Sequence, residues 1–592
     1  MLALGTSMLV GCASQSQSSA PAAYQPEGSP VLLPADQRPA PIVIDMNNRH
    51  APVRTTIAAE IIDTRSFPKQ RQITGPFDGE VRNIKHALPK HSRDKTLPQT
   101  EDNTPATPVG QAIAMDRVNT GAGTGFTGIA QTEWSPPDPT LAVGPNHVVE
   151  TVNSAIAFYD KTTGNETFSS HLGSPGSPGF FETVGADSSF VFDPKCFYDH
   201  KVGRFVVIAL ETSGSSWIDI AVSDDDDPNG IWYKYRTNSE IQLGNSTYWV
   251  DYPGFGFDDN AWYVTNNLFL LSGNGSGFGG VLWRIFDKAP MLNGDPVTFT
   301  DIAPDQGGSA QVAQMFGDAP QCYFVSRRSS TQLWLWTIND PLGSPVLERV
   351  SVNGIDNISG PSQDAPNGGG GEISTLDGRL MNVHMRDGKL YTGQGINGAP
   401  GITVARWYEI DVNGWPNSGS NPALSQQGEV TGPNQQHYFF PAIYSDRDGN
   451  VGMTMASSSP SEFASVRVSG RVPSDPDGTM SEPIELAIGD RSSNGRWGDY
   501  LDIAIDPNDD KTFWIVGMYR QSFGWQTWID SFTVESECPA DLDGNGELNF
   551  FDISLFLGAF NIQDPSADIN NDGAWNFFDV SQFITLYNQG CP

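Results

Sequence analysis

Two short acidic segments near the C-terminal end carry oxygen-bearing side chains at the spacing of a metal-binding loop. Each segment has such residues at positions one, three, five, nine and twelve, with a glycine at position six and a backbone carbonyl available at position seven. The first loop consists of Asp541, Asp543, Asn545, Glu547, Asn549 and Asp552, and the second of Asp568, Asn570, Asp572, Ala574, Asn576 and Asp579. Calcium takes about six to eight oxygen ligands, which alternate side chains in such a turn supply. The sequence therefore predicts two bound calcium ions.

Each loop runs directly into an amphipathic segment, and the two copies lie 27 residues apart. This duplicated pattern, with Asp at position twelve and no helix before the loop, resembles a type I dockerin. The resemblance implies a small α-helical calcium-binding domain over residues 538–592 that docks to a cohesin-like or other surface protein. Cys538 and Cys591 bracket the unit and resemble a disulfide clasp, which fits an oxidising compartment.

The candidate docking residues differ from those of the resembled family. Dockerins usually carry small hydroxyl residues at loop positions ten and eleven, whereas this chain has aromatic pairs there, namely Phe550, Phe551, Phe577 and Phe578. Two interpretations remain open. The pairs form a different hydrophobic docking face, or they form the core between the two helices.

A three-part strand pattern recurs seven times between Trp134 and Val534, with a period near 57 residues. Short strands at even spacing with turns between them are typical of β-propellers. We therefore expect a mainly β protein with a seven-bladed β-propeller over residues 126–535. The strand-like segment Gly128–Trp134 has no repeat of its own, and we predict that it pairs into the seventh blade and leaves no open edge there.

Four repeats place an aspartate shortly before their first turn: Asp138, Asp193, Asp251 and Asp499. If the first strand of each repeat is the innermost, these carboxylates lie near the central channel and are candidates for binding a cation or a polar ligand. The alternative is that each aspartate caps a turn by accepting hydrogen bonds from backbone amides.

No catalytic motif is present in the sequence. It contains neither the sialidase pattern Ser-x-Asp-x-Gly-x-x-Trp nor His-Glu-x-x-His. The leading interpretation is an exported cell-envelope protein whose propeller binds a glycan or protein ligand. The alternative is a polysaccharide-degrading enzyme, a glycoside hydrolase or lyase that carries a dockerin, because paired carboxylates at hydrolytic separation are invisible in sequence.

The N-terminal region is compositionally distinct. Residues 1–12 end in Leu-Val-Gly-Cys and resemble a bacterial lipoprotein signal, which implies lipidation of Cys12 and an outer-membrane anchor. An unprocessed end with a chance cysteine is the alternative. Residues 13–125 are rich in Pro, Ser, Gln and Thr, and we expect a disordered tether.

Charge narrows the range of partners. The chain carries 34 Lys and Arg against 69 Asp and Glu, a formal net charge of −35. Such acidity disfavours nucleic acid, whose phosphates are bound by basic patches. We expect contact with a membrane only through the lipid anchor. The remaining cysteines, Cys196 and Cys322, fall in different repeats, and we expect buried free thiols.

Overall fold

The computed structural model describes most of the 592-residue chain, with breaks at the N-terminal region and at several loops. The described residues are 38–67, 82–83, 117–121, 125–173, 179–186, 191–212, 215–318, 321–358, 364–399, 401–417, 420–433, 435–535, 538, 540–543, 547–570 and 573–590. Within them, no helix is long and apolar enough to cross a membrane. The chain is mainly β, as expected.

Antiparallel strand pairing in the described repeat region gives successive four-stranded groups, called sheets here and numbered in chain order, and parallel pairs join sheets 3 to 5 into one larger sheet. Sheet 1 consists of Thr140–Val143, His147–Val152, Ala155–Asp160 and Glu166–His171, and sheet 2 of Val191–Asp199, Arg204–Glu211, Trp217–Ser223 and Ile231–Asn238. Sheet 3 consists of Ser246–Phe257, Ala261–Ser272, Phe278–Asp287 and Val297–Ile302, and sheet 4 of Gln311–Phe316, Tyr323–Arg327, Leu333–Asn339 and Val346–Val352. Sheet 5 consists of Leu380–Arg386, Lys389–Ala399, Ile402–Asp411 and Ala423–Val430, and sheet 6 of His437–Ser445, Val451–Ser459, Glu462–Arg471 and Ile484–Ala487. Sheet 7 consists of Asp502–Ile505, Phe513–Gln521, Gly524–Val534 and Phe126–Ala130.

The composition of these strands explains their burial. Arg204–Glu211 reads Arg-Phe-Val-Val-Ile-Ala-Leu-Glu, and every residue after the arginine is buried. A continuous run of β-branched and aliphatic residues suits a strand that is covered on both faces. Apolar side chains from adjacent sheets fill the space between them, so the core is divided into several clusters around the ring.

The first strands of the seven sheets contact one another in chain order, and the first strand of sheet 7 contacts that of sheet 1. Some of these neighbours pair directly in parallel, as Ala313–Phe316 does with Val383–Arg386. Meandering sheets arranged radially around a closed ring of first strands are the architecture of a β-propeller. The first strand of each repeat is therefore the innermost one.

The predicted pairing of the closing segment is confirmed for Gly128–Ala130, whereas Trp134–Ser135 pairs with Arg82–Asn83 instead. Phe126–Ala130, which precedes sheet 1 in the chain, pairs antiparallel with Gly524–Val534 and forms the outer strand of sheet 7. Val118–Asn119 extends the same edge near its end. An edge strand with unpaired amides invites association with other chains, and this pairing covers it.

The expected disordered tether is wrong for residues 42–63. Three strands there pair with strands of the propeller region. Glu60–Asp63 pairs with the last strand of sheet 2, Val53–Ile57 with the last strand of sheet 3, and Ile42–Ile44 with Ile241–Leu243. The alternation of polar and apolar residues in Val53–Ile57 matches its half-buried pattern. The strand pairing satisfies the backbone hydrogen-bonding groups of these residues. Composition alone does not reveal whether such a pairing partner exists. Cys12 and residues 13–37, 68–81, 84–116 and 122–124 of the tether lie outside the described residues.

Both predicted free thiols are confirmed, because Cys196 and Cys322 are buried and neither forms a disulfide. Burial raises the pKa of Cys196 to about 12. Such a thiol stays protonated and behaves as a small apolar side chain.

The C-terminal region contains helices α2 (Phe550–Ile562) and α3 (Phe577–Gln589), which follow the short helix α1 (Lys288–Met291) in chain order. Phe556 and Phe583 stack between the helices with ring centroids 4.0 Å apart. The aromatic pairs at the helix starts are instead 73% and 67% exposed in α2 and 76% and 68% exposed in α3. The interpretation that these pairs form the interhelical core is therefore wrong.

Candidate functional site

The four candidate aspartates of the propeller lie at or just before the inner strands. Asp193 and Asp251 lie within the first strands of sheets 2 and 3, whereas Asp138 and Asp499 precede those of sheets 1 and 7. Each carboxylate interacts electrostatically with at least one of the others. The ring closure thus brings together residues that are up to 361 positions apart.

Hydrogen bonds show what two of these carboxylates do. Asp138 Oδ1 accepts a bond of 2.6 Å from the backbone N–H of Asp499, and its Oδ2 accepts one of 2.7 Å from Asn153 Nδ2. Asp193 Oδ2 accepts a bond of 3.2 Å from the backbone N–H of Tyr252. Each aspartate therefore ties its own repeat to a neighbouring one. These bonds join neighbouring sheets, whereas the capping alternative placed the accepted bonds within a single turn.

The environment suppresses ionisation of these groups. Burial raises the pKa of Asp138 and Asp193 well above the usual range, and the neighbouring carboxylates raise both further. Burial and the charge of Asp499 raise the pKa of Asp251 to about 7. Several carboxylates in one buried place cannot all be charged, so the group holds protons at neutral pH.

Sequence reasoning missed a fifth carboxylate and three cations in this group. Burial raises the pKa of Asp502 to about 7, and Asp502 Oδ2 accepts a bond of 3.2 Å from the backbone N–H of Leu141. Lys195 Nζ lies 3.1 Å from the centre of the Tyr500 ring.

The two arginines of the group are held in different ways. The Arg379 guanidinium stacks over the Tyr252 ring, and Arg496 pairs with Asp499. Lys195 and Arg496 lie close in sequence to candidate aspartates, as in Asp193-Pro-Lys195 and Arg496-Trp-Gly-Asp499, and this nearness was the only available signal; Arg379 has no such neighbour.

A pocket of about 340 Å³ adjoins this charged group. Residues from three parts of the chain line it, among them Ser135, Arg496, Trp497, Arg520, Phe523 and Trp525. Arg496 lines the pocket and also bonds Asp499, so the pocket and the carboxylate group share a residue.

The pocket wall is held in place by its own hydrogen bonds. Trp525 Nε1 donates a bond of 3.0 Å to the Trp134 carbonyl, and Gln131 Oε1 accepts one of 3.3 Å from the Trp525 backbone N–H. Gln131 Nε2 donates in turn to the carbonyls of Thr132 and Trp134. These hydrogen bonds hold Trp525 in position in the pocket wall, and a wall positioned in this way lowers the entropic cost of binding.

In the described part of the chain, three potential metal-ligating groups converge only at Asp541, Asp543 and Asp552. One oxygen from each of these carboxylates lies within 4.8 Å of the others. The convergence joins positions one, three and twelve of the first predicted calcium loop, and hard oxygen donors suit calcium. The propeller aspartates do not converge in this way among the described residues, so a calcium cage there is not supported.

The two loops use the same hydrogen bonds to start their helices. Asn549 Oδ1 accepts a bond of 2.8 Å from the Phe551 N–H, and Asp552 Oδ2 accepts one of 2.9 Å from the Asn549 N–H. This reciprocal pair is a capping box. Asn576 and Asp579 form the equivalent pair in the second loop.

Further contacts fold each loop back on its helix. Asp552 Oδ1 accepts a bond of 2.9 Å from the Leu542 N–H, and Asp568 Oδ2 accepts one of 2.8 Å from the Gly573 N–H. The position-seven carbonyls of Glu547 and Ala574 accept bonds from the side chains of Asn549 and Asn576. Carboxylate and carbonyl oxygens have two acceptor sites each, so these bonds leave capacity for a cation. Asn545, Asp572 and Cys591 lie outside the described residues, and the Cys538–Cys591 disulfide stays a prediction.

No protein-family model matches the sequence. No curated protein matches it. Among solved structures, the chain is similar to a Trypanosoma rangeli sialidase in complex with 2,3-difluorosialic acid at 11% identity and a TM-score of 0.32, over 72% of this chain and 62% of that one. A Hadza microbial sialidase is similar at 10% identity and a TM-score of 0.32, over 67% of this chain and 65% of that one. A thermostable family-43 glycoside hydrolase is similar at 12% identity and a TM-score of 0.26, over 59% of this chain and 93% of that one.

The chain therefore spans less than two thirds of the length of the two sialidases. At these identities and TM-scores, the similarity says nothing about the chemistry of the site.

Proposed function

We propose that this chain is an exported glycan-directed protein in which a seven-bladed β-propeller binds a sugar at the pocket beside Arg496. The observation that carries the proposal is the combination of aromatic rings and polar groups around that pocket. Ligand sites typically combine aromatic walls with a few fixed polar groups. The closed ring of first strands supports the seven-bladed architecture.

Phe523 offers the clearest test of sugar binding. It lines the pocket and is only half-buried, so its removal leaves the propeller core intact. Binding of the full chain to an array of soluble polysaccharides should identify a ligand, and Phe523→Ala should weaken that binding about 10-fold because a stacking surface is lost.

The matched control is Trp334→Ala in sheet 4, where another half-buried aromatic residue is removed outside the pocket. The proposal fails if no polysaccharide binds, or if the two variants weaken binding equally.

Glycosidic bond cleavage is the second candidate. The specific observation in its favour is that the pKa values of Asp251 and Asp502 are both raised to about 7 beside further carboxylates. A carboxyl group that keeps its proton at neutral pH can act as a general acid toward a leaving oxygen, while an ionised carboxylate assists from elsewhere.

Release of reducing ends from the bound polysaccharide separates the two candidates. If the parent chain releases reducing ends and Asp251→Asn abolishes the release but retains binding, the function is glycosidic bond cleavage rather than binding alone. Binding without any release of reducing ends would remove the enzymatic alternative.

For the C-terminal residues 538–592 we propose a dockerin-like domain that binds two calcium ions and docks to a cohesin-like or other surface protein. The convergence of Asp541, Asp543 and Asp552 supports calcium binding. The exposure of the four phenylalanines at the helix starts supports docking through an apolar face, since large exposed aromatic patches mark interaction sites.

The proposed location is the cell envelope. Its support is the lipoprotein-like end at Cys12 together with the cysteine pair Cys538 and Cys591. Metabolic labelling with a palmitate analogue tests it: label that is absent from Cys12→Ala supports the anchor, and an unlabelled parent chain contradicts it.

A further inference from the structure

The pocket beside the propeller ring contains buried hydrogen-bond donors that have no acceptor. Arg496 Nε and Nη1, Arg520 Nε and Trp497 Nε1 are all buried, and none has a hydrogen-bond partner within the described structure. Trp497 is only 3% exposed. Buried donors are nearly always satisfied in folded proteins, so several in one pocket wall call for an acceptor from outside the chain.

The missing acceptor has to satisfy two guanidinium groups. Asp499 already occupies Arg496 Nη2, which leaves the Nε and Nη1 atoms of the same group unused. Arg520 lies near the end of the strand Phe513–Gln521 and lines the same pocket. Guanidinium groups bind planar or tetrahedral anions such as carboxylates and oxyacid esters through several parallel bonds.

The charged groups near Arg520 do not remove its preference for an anion. Asp490 and Arg491 interact electrostatically with Arg520 with opposite signs. The chain as a whole carries a charge of −35, so it repels polyanions at long range. An anion must therefore be recognised locally, by donors that the pocket presents at short distance.

We infer that the pocket is specific for an acidic glycan, with Arg496 and Arg520 binding a carboxylate or sulfate group of the sugar. This inference rests on the proposed glycan-binding function and adds the class of ligand. Trp497 Nε1 supplies a further donor to the same group or to an adjacent hydroxyl. The aromatic residues of the pocket contact the sugar ring.

Matched pairs of polysaccharides test the inference on the full chain by isothermal titration calorimetry. Polygalacturonate is compared with its fully methyl-esterified form, and a sulfated galactan with its desulfated form. We expect the anionic member of at least one pair to bind about 10-fold more tightly, with an affinity that falls as salt is added. Preference within the first pair identifies a carboxylate ligand, and preference within the second a sulfate ligand.

Arg520→Gln serves as the test variant, because Arg496 also bonds Asp499 and its loss would disturb the ring. It should reduce binding of the preferred anionic polymer about 10-fold and leave binding of the uncharged partner unchanged. The control is Arg447→Gln, which removes an exposed arginine outside the pocket.

Each possible result decides between the two proposals. Binding without preference for the anionic form, or equal weakening of both forms by Arg520→Gln, overturns the inference and leaves glycan binding intact. Absence of binding to all tested polymers overturns both.

Discussion

Glu150 Oε2 accepts a hydrogen bond of 2.9 Å from the backbone N–H of Ile129. Glu150 belongs to sheet 1, whereas Ile129 lies in the strand that closes sheet 7, so this bond fastens the two ends of the ring. Tyr159 Oη donates to the same oxygen at 2.9 Å. Burial raises the pKa of Glu150 to about 7. The ring closure thus depends on a carboxyl group that titrates near neutral pH.

We predict that this carboxyl group makes the propeller less stable as the pH rises. The folded-state pKa lies above the ordinary value of 4.5, so the folded protein keeps a proton that the unfolded chain releases. Stability from this group is therefore complete below about pH 4.5 and is lost as the pH rises through about 7, on the order of 3 kcal/mol in all. Glu150→Gln should remove that part of the pH dependence, measured as melting temperature at pH 5 and pH 8. The exposed Glu372→Gln is the control, and an equal pH profile in Glu150→Gln and the parent chain would contradict the prediction.

Gly128 in the closing strand should not tolerate a side chain. A Cβ atom there would lie 2.4 Å from Glu150 Oε2 and 2.5 Å from Thr527 Oγ1. Gly128→Ala should therefore destabilise the propeller by about 1–3 kcal/mol, the usual range for overpacking. Thermal unfolding measures the effect. Gly277→Ala is the control because its Cβ would meet no atom within 4 Å, and equal melting temperatures for the two variants would refute the predicted clash.

The N-terminal strands should protect the outer edges of sheets 2 and 3. Deletion of residues 38–67 removes Glu60–Asp63 and Val53–Ile57, which pair with those edges, and the bond from Arg49 Nε to the Ala303 carbonyl. Exposed edges promote association between chains. We expect a melting temperature lower by a few degrees and concentration-dependent association by light scattering. A truncated chain that stays monomeric with an unchanged melting temperature would show that these strands are dispensable.

Calcium should bind at the first loop through the carboxylates of Asp541, Asp543 and Asp552. Calorimetric titration of the chelator-treated full chain should detect two calcium ions at the C-terminal loops, and Asp543→Asn should weaken one of them at least about 10-fold, because a charged ligand is lost. Asp564→Asn removes an exposed carboxylate of the same domain outside both loops and should leave both sites intact. Two unchanged sites in Asp543→Asn would exclude the proposed ligand set.

The exposed and buried phenylalanines of the C-terminal domain should separate docking from stability. The double variant Phe550→Ser/Phe577→Ser should change the unfolding free energy of that domain by less than about 0.5 kcal/mol, because both rings are exposed. The same variant should lose capture by a calcium-dependent surface partner. Phe556→Ala should instead cost about 3–5 kcal/mol, because it removes the ring stacked on Phe583. Retained capture by the double variant would exclude Phe550 and Phe577 from the docking face.

Sequence patterns were most informative where a feature depends on residues close together in the chain. The repeated strands follow from local alternation and turn residues, and the spacing of Asp541, Asp543 and Asp552 is confined to twelve residues. The closing strand is the exception, because it pairs with a distant segment, and it was predictable only because the last repeat lacked a strand while a strand-like segment before the first repeat had no repeat of its own. The free thiols followed from their positions in separate repeats.

The sequence by itself thus determined the strand-rich repeats, the candidate calcium ligands and the acidic charge, since each is a property of composition or short-range order. Only the tertiary structure decided that Asp138 bonds the backbone of Asp499, that residues 42–63 pair with sheet edges, and that the aromatic pairs are exposed. The pocket that unites Ser135, Arg496 and Arg520 was equally invisible. The physical reason is that closing a ring brings distant segments together through backbone pairing and burial, which depend on the packed neighbours rather than on the adjacent residues.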